Sequence, residues 1–192
     1  MKPTDEQAGA WTKAFNEGKF VRKSSEFRDK ITPQGTFDTQ TGRYHLYLSH
    51  ACPWAHRTLI VRNLLGLADH ITTDVVDWRM NRDGSWSFNS DEEGATVDSI
   101  NGEESLEGVY DRAFEGWKES GRIGTVPVLW DRQHSTIVNN ESREIIRMFD
   151  VLAQSGLGNG TSLCPEPIKK EIDAMIDANY EAVNNGVYKS GF

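Results

Sequence analysis

Residues 44–48, YHLYL, alternate as a strand, then pass through Ser49, His50 and Ala51 into Cys52-Pro53-Trp54-Ala55 and a stretch of helical spacing. Proline has no N–H and a preset φ, so Pro53 suits the first position of a helix and fits badly further in. Val61, Leu64 and Leu65 recur at helical spacing, and Gly66 can stop the helix. Residues 71–78, ITTDVVDW, predict a second strand. Strand, helix and strand in this order predict a βαβ unit with a parallel pair. Tyr44, Leu46 and Leu48 are expected on one face of the first strand.

The rest of the chain extends this unit. Residues 79–102 carry Gly84, Gly94 and Gly102 among polar residues and predict a long loop. A helix is expected over 104–119, with Leu106, Val109, Tyr110, Ala113, Phe114 and Trp117 on one face. TVPVLW at 125–130 predicts a third strand, DRQHS a turn, and TIVN at 136–139 a fourth strand antiparallel to the third. NESREIIRMFDVL then predicts a helix with Ile145, Ile146, Phe149 and Leu152 inward. The order β-α-β-α-β-β-α is thioredoxin-like, an α/β fold. Pro127 is out of place inside an apolar strand unless it marks an edge, a bulge or a cis bond.

Four segments are expected. Residues 1–43 form an N-terminal extension whose aromatics (Trp11, Phe15, Phe20, Phe27, Phe37) suit docking onto a domain. Residues 44–153 form the thioredoxin-like domain, and the Gly/Ser/Pro-rich residues 154–167 a linker. Residues 168–192 begin a helical domain, with Ile168, Ile172, Met175, Ile176, Tyr180, Val183 and Val187 as an apolar stripe. One helix cannot bury such a stripe alone: either it packs on the first domain or it opens a larger helical domain, and the second is expected.

Composition removes several classes of function. The formal charge of −8 makes the chain as a whole a poor binder of nucleic acid. No run of about 18 apolar residues could span a membrane. The start lacks a hydrophobic signal core, and two cysteines are too few for a disulfide scaffold, so a reducing, cytoplasmic setting is expected. His45, His50 and His56 lie near Cys52, but zinc wants three or four ligands, and no metal is expected.

Cys52 is the residue with chemistry. It follows a strand end and faces a helix start, where unpaired N–H groups and the helix dipole stabilise a thiolate. Such thiols can have pKa values of roughly 3.5–7.5, and the thiolate is the nucleophile. Ala55 occupies the position where a redox dithiol motif would place its second cysteine, so a mixed disulfide at Cys52 would need an outside thiol to resolve it. A buried, inert cysteine is the alternative. Cys164, in a Pro-flanked linker, is expected to be a bystander.

CPWAHR, TVPVLWD and NNESREIIRMF, with the leading GKFVRKSSEFRDKI, the GSWSF loop and the terminal NNGVYKSGF, resemble the glutathionyl-hydroquinone reductases, the Xi class of glutathione transferases. The likeness spans nearly the whole chain. It implies that Cys52 attacks the sulfur of a glutathionyl-hydroquinone, releasing the hydroquinone and leaving a Cys52–glutathione disulfide. A second glutathione then releases oxidised glutathione. It also implies a glutathione site: the Val126 backbone for the cysteinyl part, Glu141 for the γ-glutamyl amine, and Ser142 for its carboxylate at a helix start. Arg122 and Trp86 would grip the tripeptide from the other side, and Tyr188 would line the hydroquinone site. Taken alone, each has a plainer reading: helix-start chemistry for Glu141 and Ser142, core packing for Trp86 and Tyr188, a solvated charge for Arg122. The resemblance further implies a homodimer for a full-length chain, glutathione as co-substrate, and aromatic glutathionyl-hydroquinones as partners. Two other functions stay open: a monothiol glutaredoxin-like deglutathionylase of mixed disulfides, and a glutathione-binding module without turnover.

Overall fold

A computed structural model describes residues 15–16, 19–20 and 25–191. Trp11, most of the leading motif before Ser25, and the side chains of Phe15 and Phe20 lie outside the described residues, as does Phe192. The described chain falls into two compact units.

The larger unit runs Ser25–Ser162. Its elements are β1 (Tyr44–Leu48), α1 (Pro53–Leu64), β2 (Ile71–Val75), α2 (Leu106–Ala113), β3 (Val128–Asp131), β4 (Thr136–Asn139) and α3 (Ser142–Leu152). The four strands form one sheet in the order β2-β1-β3-β4. β1 and β2 are parallel, with Tyr44 opposite Ile71, while β3 runs antiparallel to both β1 and β4. The thioredoxin-like order is therefore the observed one. The sheet topology brings the C-terminal end of β1, which leads to Cys52, beside the start of β3, which follows Pro127.

Both faces of β1 are buried. Tyr44, Leu46, Tyr47 and Leu48 all join the apolar core, and His45 is buried beside Tyr47, ring centroids 4.5 Å apart. Tyr47 donates from its hydroxyl to Asp98 Oδ1 at 2.8 Å and packs edge-on against Phe88, ring centroids 5.6 Å apart. Asp98 also accepts backbone N–H groups of Ile100, Asn101 and Glu103 at 3.0–3.1 Å. A carboxylate with so many donors pins the long loop down. Burial, reinforced by the nearby Asp98 carboxylate, pushes the Tyr47 hydroxyl pKa upward.

α1 ends as its sequence predicts. Gly66 takes φ +71, a left-handed conformation that favours glycine, and the chain turns there. Leu64, however, is exposed, because the buried positions of α1 are Ala55, Thr58 and Arg62. Arg62 reaches the turn after α1, donating to the carbonyls of Ile71 and Ala68 at 2.6 and 2.8 Å.

α2 is shorter than the 104–119 expected. Phe114 is extended, with φ −146 and ψ 101, and its side chain is 48% exposed. Trp117 instead folds back on Tyr110, with ring centroids 4.6 Å apart. On a continuous helix, seven residues of rise would separate the two levels by about 10 Å. Breaking the helix buries the indole against Tyr110 and Phe27.

β2 stops at Val75 and β3 starts only after Pro127, so both strands are shorter than read from the sequence. On α3, Met148 is buried and Ile146 only half-buried, and Ile31 donates its N–H to Met148 Sδ at 3.1 Å. Residues 25–43 contribute Phe27, Ile31 and Phe37 to the core. Residues 153–157 form a π-helical turn, after which Asn159 donates to the carbonyls of Leu65 and Leu64 at 2.9 Å each. These bonds attach part of the expected linker to the end of α1.

The smaller unit contains a two-residue ribbon, Phe15–Asn16 against Lys19–Phe20, and the segment from Leu163. Its helices are α4 (Lys169–Asn179) and α5 (Asn185–Gly191), joined by a π-helical turn, Tyr180–Asn184. Of the apolar stripe, Ile168, Met175, Val183 and Val187 are exposed, and Ile172, Ile176 and Tyr180 are half-buried. Among the described residues no helix is long and apolar enough to cross a membrane.

Candidate active site

Cys52 is the residue preceding α1, with extended backbone (φ −99, ψ 112), and Pro53 takes the first helical position. The Cys52 carbonyl accepts the His56 N–H at 2.9 Å, which closes the first helical turn. The half-buried Sγ thus lies at the end of a helix whose first N–H groups have no intrahelical acceptor. Ala55 is fully buried where a second cysteine would stand. His56 is exposed, whereas His45 is buried in β1, with Nδ1 2.6 Å from Thr72 Oγ1 and Nε2 3.2 Å from Asp74. Among the described residues no cluster of three or more His, Cys, Asp or Glu is placed to hold a metal.

Val126 faces this thiol. Its carbonyl oxygen is 3.7 Å from Cys52 Sγ, and the Val126–Pro127 bond is cis. The segment before it is fastened by Tyr110. The Tyr110 hydroxyl donates to the Thr125 carbonyl at 2.8 Å and accepts the Thr125 N–H at 3.2 Å and Asn140 Nδ2 at 3.0 Å. Burial pushes the Tyr110 pKa up to about 12.

Asn140 leads directly to the start of α3. Glu141 is its capping residue: Oε1 accepts the Arg143 N–H at 3.2 Å, and Oε2 accepts the Ser25 hydroxyl at 3.2 Å. Ser142, the first helical residue, is buried, and its Oγ accepts two donations from Arg57 of α1. The structure therefore brings Cys52 to Val126, and joins Glu141 and Ser142 to the Cys52 helix through Arg57.

The remaining candidates sit differently. Trp86 is buried in the loop ahead of α2, its N–H donating to Glu107 Oε2 at 3.3 Å and its carbonyl accepting the Leu106 N–H at 2.8 Å. Its indole Nε1 is buried with no hydrogen-bond partner. Burial raises the pKa of the Glu107 carboxyl. Arg122 donates to Glu26 Oε2 at 2.8 Å and lies over the rings of Phe114 and Trp117, each centroid 5.2 Å away. It meets the site indirectly, because Glu26 adjoins the Ser25 that binds Glu141. Tyr188 is half-buried on α5, in the smaller unit, and Cys164 lies in that unit too.

Sequence reasoning missed Arg57, Ser25 and Glu26. Ser25 and Glu26 lie more than 90 positions from their partners, and no local pattern announces them. Arg57 had a weak signal: a cation five residues after the cysteine, on the same helix.

The model of the glutathione S-transferase N-terminal domain matches residues 51–152. The chain is 44% identical over 181 residues to the glutathione S-transferase omega-like 2 of Schizosaccharomyces pombe, covering 92% of this chain and 56% of that protein. It is 45% identical over 183 residues to the glutathionyl-hydroquinone reductase YqjG of Escherichia coli, covering 91% and 55%. It thus spans just over half the length of the curated relatives it matches. Among solved structures, the Xi glutathione transferase of Phanerochaete chrysosporium aligns with a TM-score of 0.82 at 45% identity, over 89% of this chain and 58% of that one. The glutathione-bound structure of the E. coli YqjG protein aligns with a TM-score of 0.78 at 43% identity, over 87% and 56%.

Proposed function

Because this chain belongs to the glutathione S-transferase family and is similar to its Xi-class members, we propose that it reduces glutathionyl-hydroquinones with glutathione, through a disulfide at Cys52. The Cys52 thiolate attacks the sulfur of the glutathionyl-hydroquinone. The carbon–sulfur bond breaks, its electron pair passes to the aromatic carbon, and that carbon takes up a proton to give free hydroquinone. A second glutathione, as thiolate, attacks the Cys52–glutathione disulfide. Oxidised glutathione leaves, and Cys52 returns to its thiolate. The sum converts one glutathionyl-hydroquinone and one glutathione into hydroquinone and glutathione disulfide, so the aromatic carbon gains two electrons, one from the thioether sulfur it releases and one from the incoming thiol.

The observation that carries this reading is the thiol of Cys52 at a helix start, 3.7 Å from the Val126 carbonyl. That neighbourhood suits the cysteinyl part of an extended tripeptide, whose own backbone can pair with Val126. Glu141 would hold the γ-glutamyl ammonium and Ser142 its carboxylate. The buried Trp86 Nε1 has an unused donor to offer, and Arg122 would lend positive charge from the Glu26 side. Tyr188 is assigned to the hydroquinone, and the full-length protein is assigned a homodimeric state.

The test compares two substrates on the purified protein: a glutathionyl-hydroquinone, followed by hydroquinone release, and a small glutathione mixed disulfide, followed by glutathione disulfide formation. Hydroquinone release that requires Cys52 is expected. Turnover of the mixed disulfide alone would replace the proposal with a monothiol deglutathionylase. Glutathione binding without turnover of either would leave a binding module.

A further inference from the structure

Arg57 reaches from α1 to the start of α3. Its Nε and Nη2 both donate to Ser142 Oγ, at 3.0 and 2.7 Å, and Nη2 lies 3.8 Å from Glu141 Oε1. The guanidinium is stacked over the Trp54 ring, 4.9 Å from its centroid. A seryl hydroxyl has two lone pairs and one O–H. Two donations from Arg57 occupy its accepting side, so the O–H is left to point elsewhere. Ser142 is itself 97% buried from solvent, its relative exposure being 3%. Its hydroxyl is therefore an oriented donor, not a freely turning one.

Charge adds a second requirement. A γ-glutamyl end carries an ammonium and a carboxylate on one carbon. Glu141 attracts the ammonium, but at the same short range it repels the carboxylate. The cation beside Glu141 offsets that repulsion. We infer that Arg57 is the positioning residue that makes this pocket select a zwitterionic amino-acid end: it turns the Ser142 O–H toward the ligand's α-carboxylate and balances Glu141. The inference rests on the glutathione reading above and adds to it the residue that sets which end-group is accepted. An arginine that only stapled α1 to α3 would support every ligand equally.

The experiment uses the full chain and three ligands, with calorimetric affinities: glutathione, 4-aminobutyryl-cysteinylglycine, which lacks the α-carboxylate, and glutaryl-cysteinylglycine, which lacks the amine. R57M should bind glutathione about tenfold more weakly than wild type, or worse, since a charge-assisted contact is lost. For the ligand without the carboxylate, R57M and wild type should agree within about twofold, the difference being the coupling of the two deletions. The ligand without the amine should still show the R57M loss. R57K keeps the charge but not the fork, and should show a smaller loss confined to the carboxylate-bearing ligands. It carries the test should R57M not fold, with melting temperatures read for every variant. Equal losses for all three ligands, or no loss at all, would overturn the assignment. A wild-type chain that distinguishes none of the three ligands would overturn the glutathione reading and the inference with it.

Discussion

Replacing Asp131 by alanine should unfold this protein sooner without weakening its site. Asp131 ends β3, and its carboxylate is fully buried against Arg43, which precedes β1. Arg43 Nε and Nη2 donate to the two carboxylate oxygens at 2.7 and 2.9 Å, and His134 Nδ1 lies 2.5 Å away. Removing one partner of a buried pair costs roughly 3–5 kcal/mol, mostly for the stranded charge. Arg43 would keep the Thr36 carbonyl at 2.8 Å, which places the expected loss at the lower end, about 3 kcal/mol. With a urea m-value of about 2 kcal/mol/M, the midpoint should fall by roughly 1.5 M. The clamp sits at the end of the β1–β3 pair away from Cys52, since Tyr44 is opposite Asp131 and Tyr47 opposite Val128. Glutathione affinity well below the melting temperature should therefore be unchanged. The pH dependence has a definite sign. Burial alone would raise the Asp131 pKa, but the Arg43 and His134 hydrogen bonds outweigh it and hold the carboxyl below its ordinary 3.8. A depressed folded-state pKa gives stability that is present above the unfolded value and lost as pH falls through the folded one. The wild type should lose part of its advantage over D131A below about pH 4. A urea midpoint within experimental error of wild type at pH 7 would refute the argument.

Three further outcomes follow from the site. Cys52→Ser should abolish hydroquinone release while glutathione affinity stays within a few-fold, because the other anchors remain; retained turnover in a steady-state assay would remove Cys52 from the chemistry. Glu141→Ala should weaken glutathione by roughly tenfold or more, measured by calorimetry, since a charge-assisted contact is worth about 1.5–3 kcal/mol. The same change removes the α3 cap and should cost about 1 kcal/mol in chemical denaturation. Tyr110→Phe takes an acceptor from the Thr125 N–H and from the buried Asn140 Nδ2, which keeps only Thr125 Oγ1 at 3.4 Å, a penalty of about 1 kcal/mol. Its ring stays stacked on Trp117, so a lower melting temperature with weaker glutathione binding is expected; an unchanged melting temperature would mean that Tyr110 does not hold the segment before Val126.

The elements around Cys52 were legible because each carries a local signal. Pro53 can only begin a helix, Gly66 provides the left-handed turn that ends it, and the apolar pattern of 136–139 matches β4 residue for residue. The end of α2 was not legible. Apolar spacing alone continues the helix through Phe114 and Trp117, whereas the chain turns at Gly116, φ +83, and the indole is buried on Tyr110 and Phe27. β1 shows the same limit: alternation places Tyr44, Leu46 and Leu48 on one face, but it does not report that His45 and Tyr47 on the other face are buried as well.

By itself the chain determined the order of strands and helices, the helix start at Cys52, and the residue types suited to thiol chemistry, because these follow from spacing within a few residues. Tertiary structure alone decided which of those residues meet. Ser142 joins Arg57 across 85 positions, Glu141 takes Ser25 across 116, and Arg122 turns to Glu26 across 96. Periodicity reports which face of an element is apolar. It carries no information on which distant polar group will arrive there, since that depends on how the packed sheet and helices bring remote backbone together.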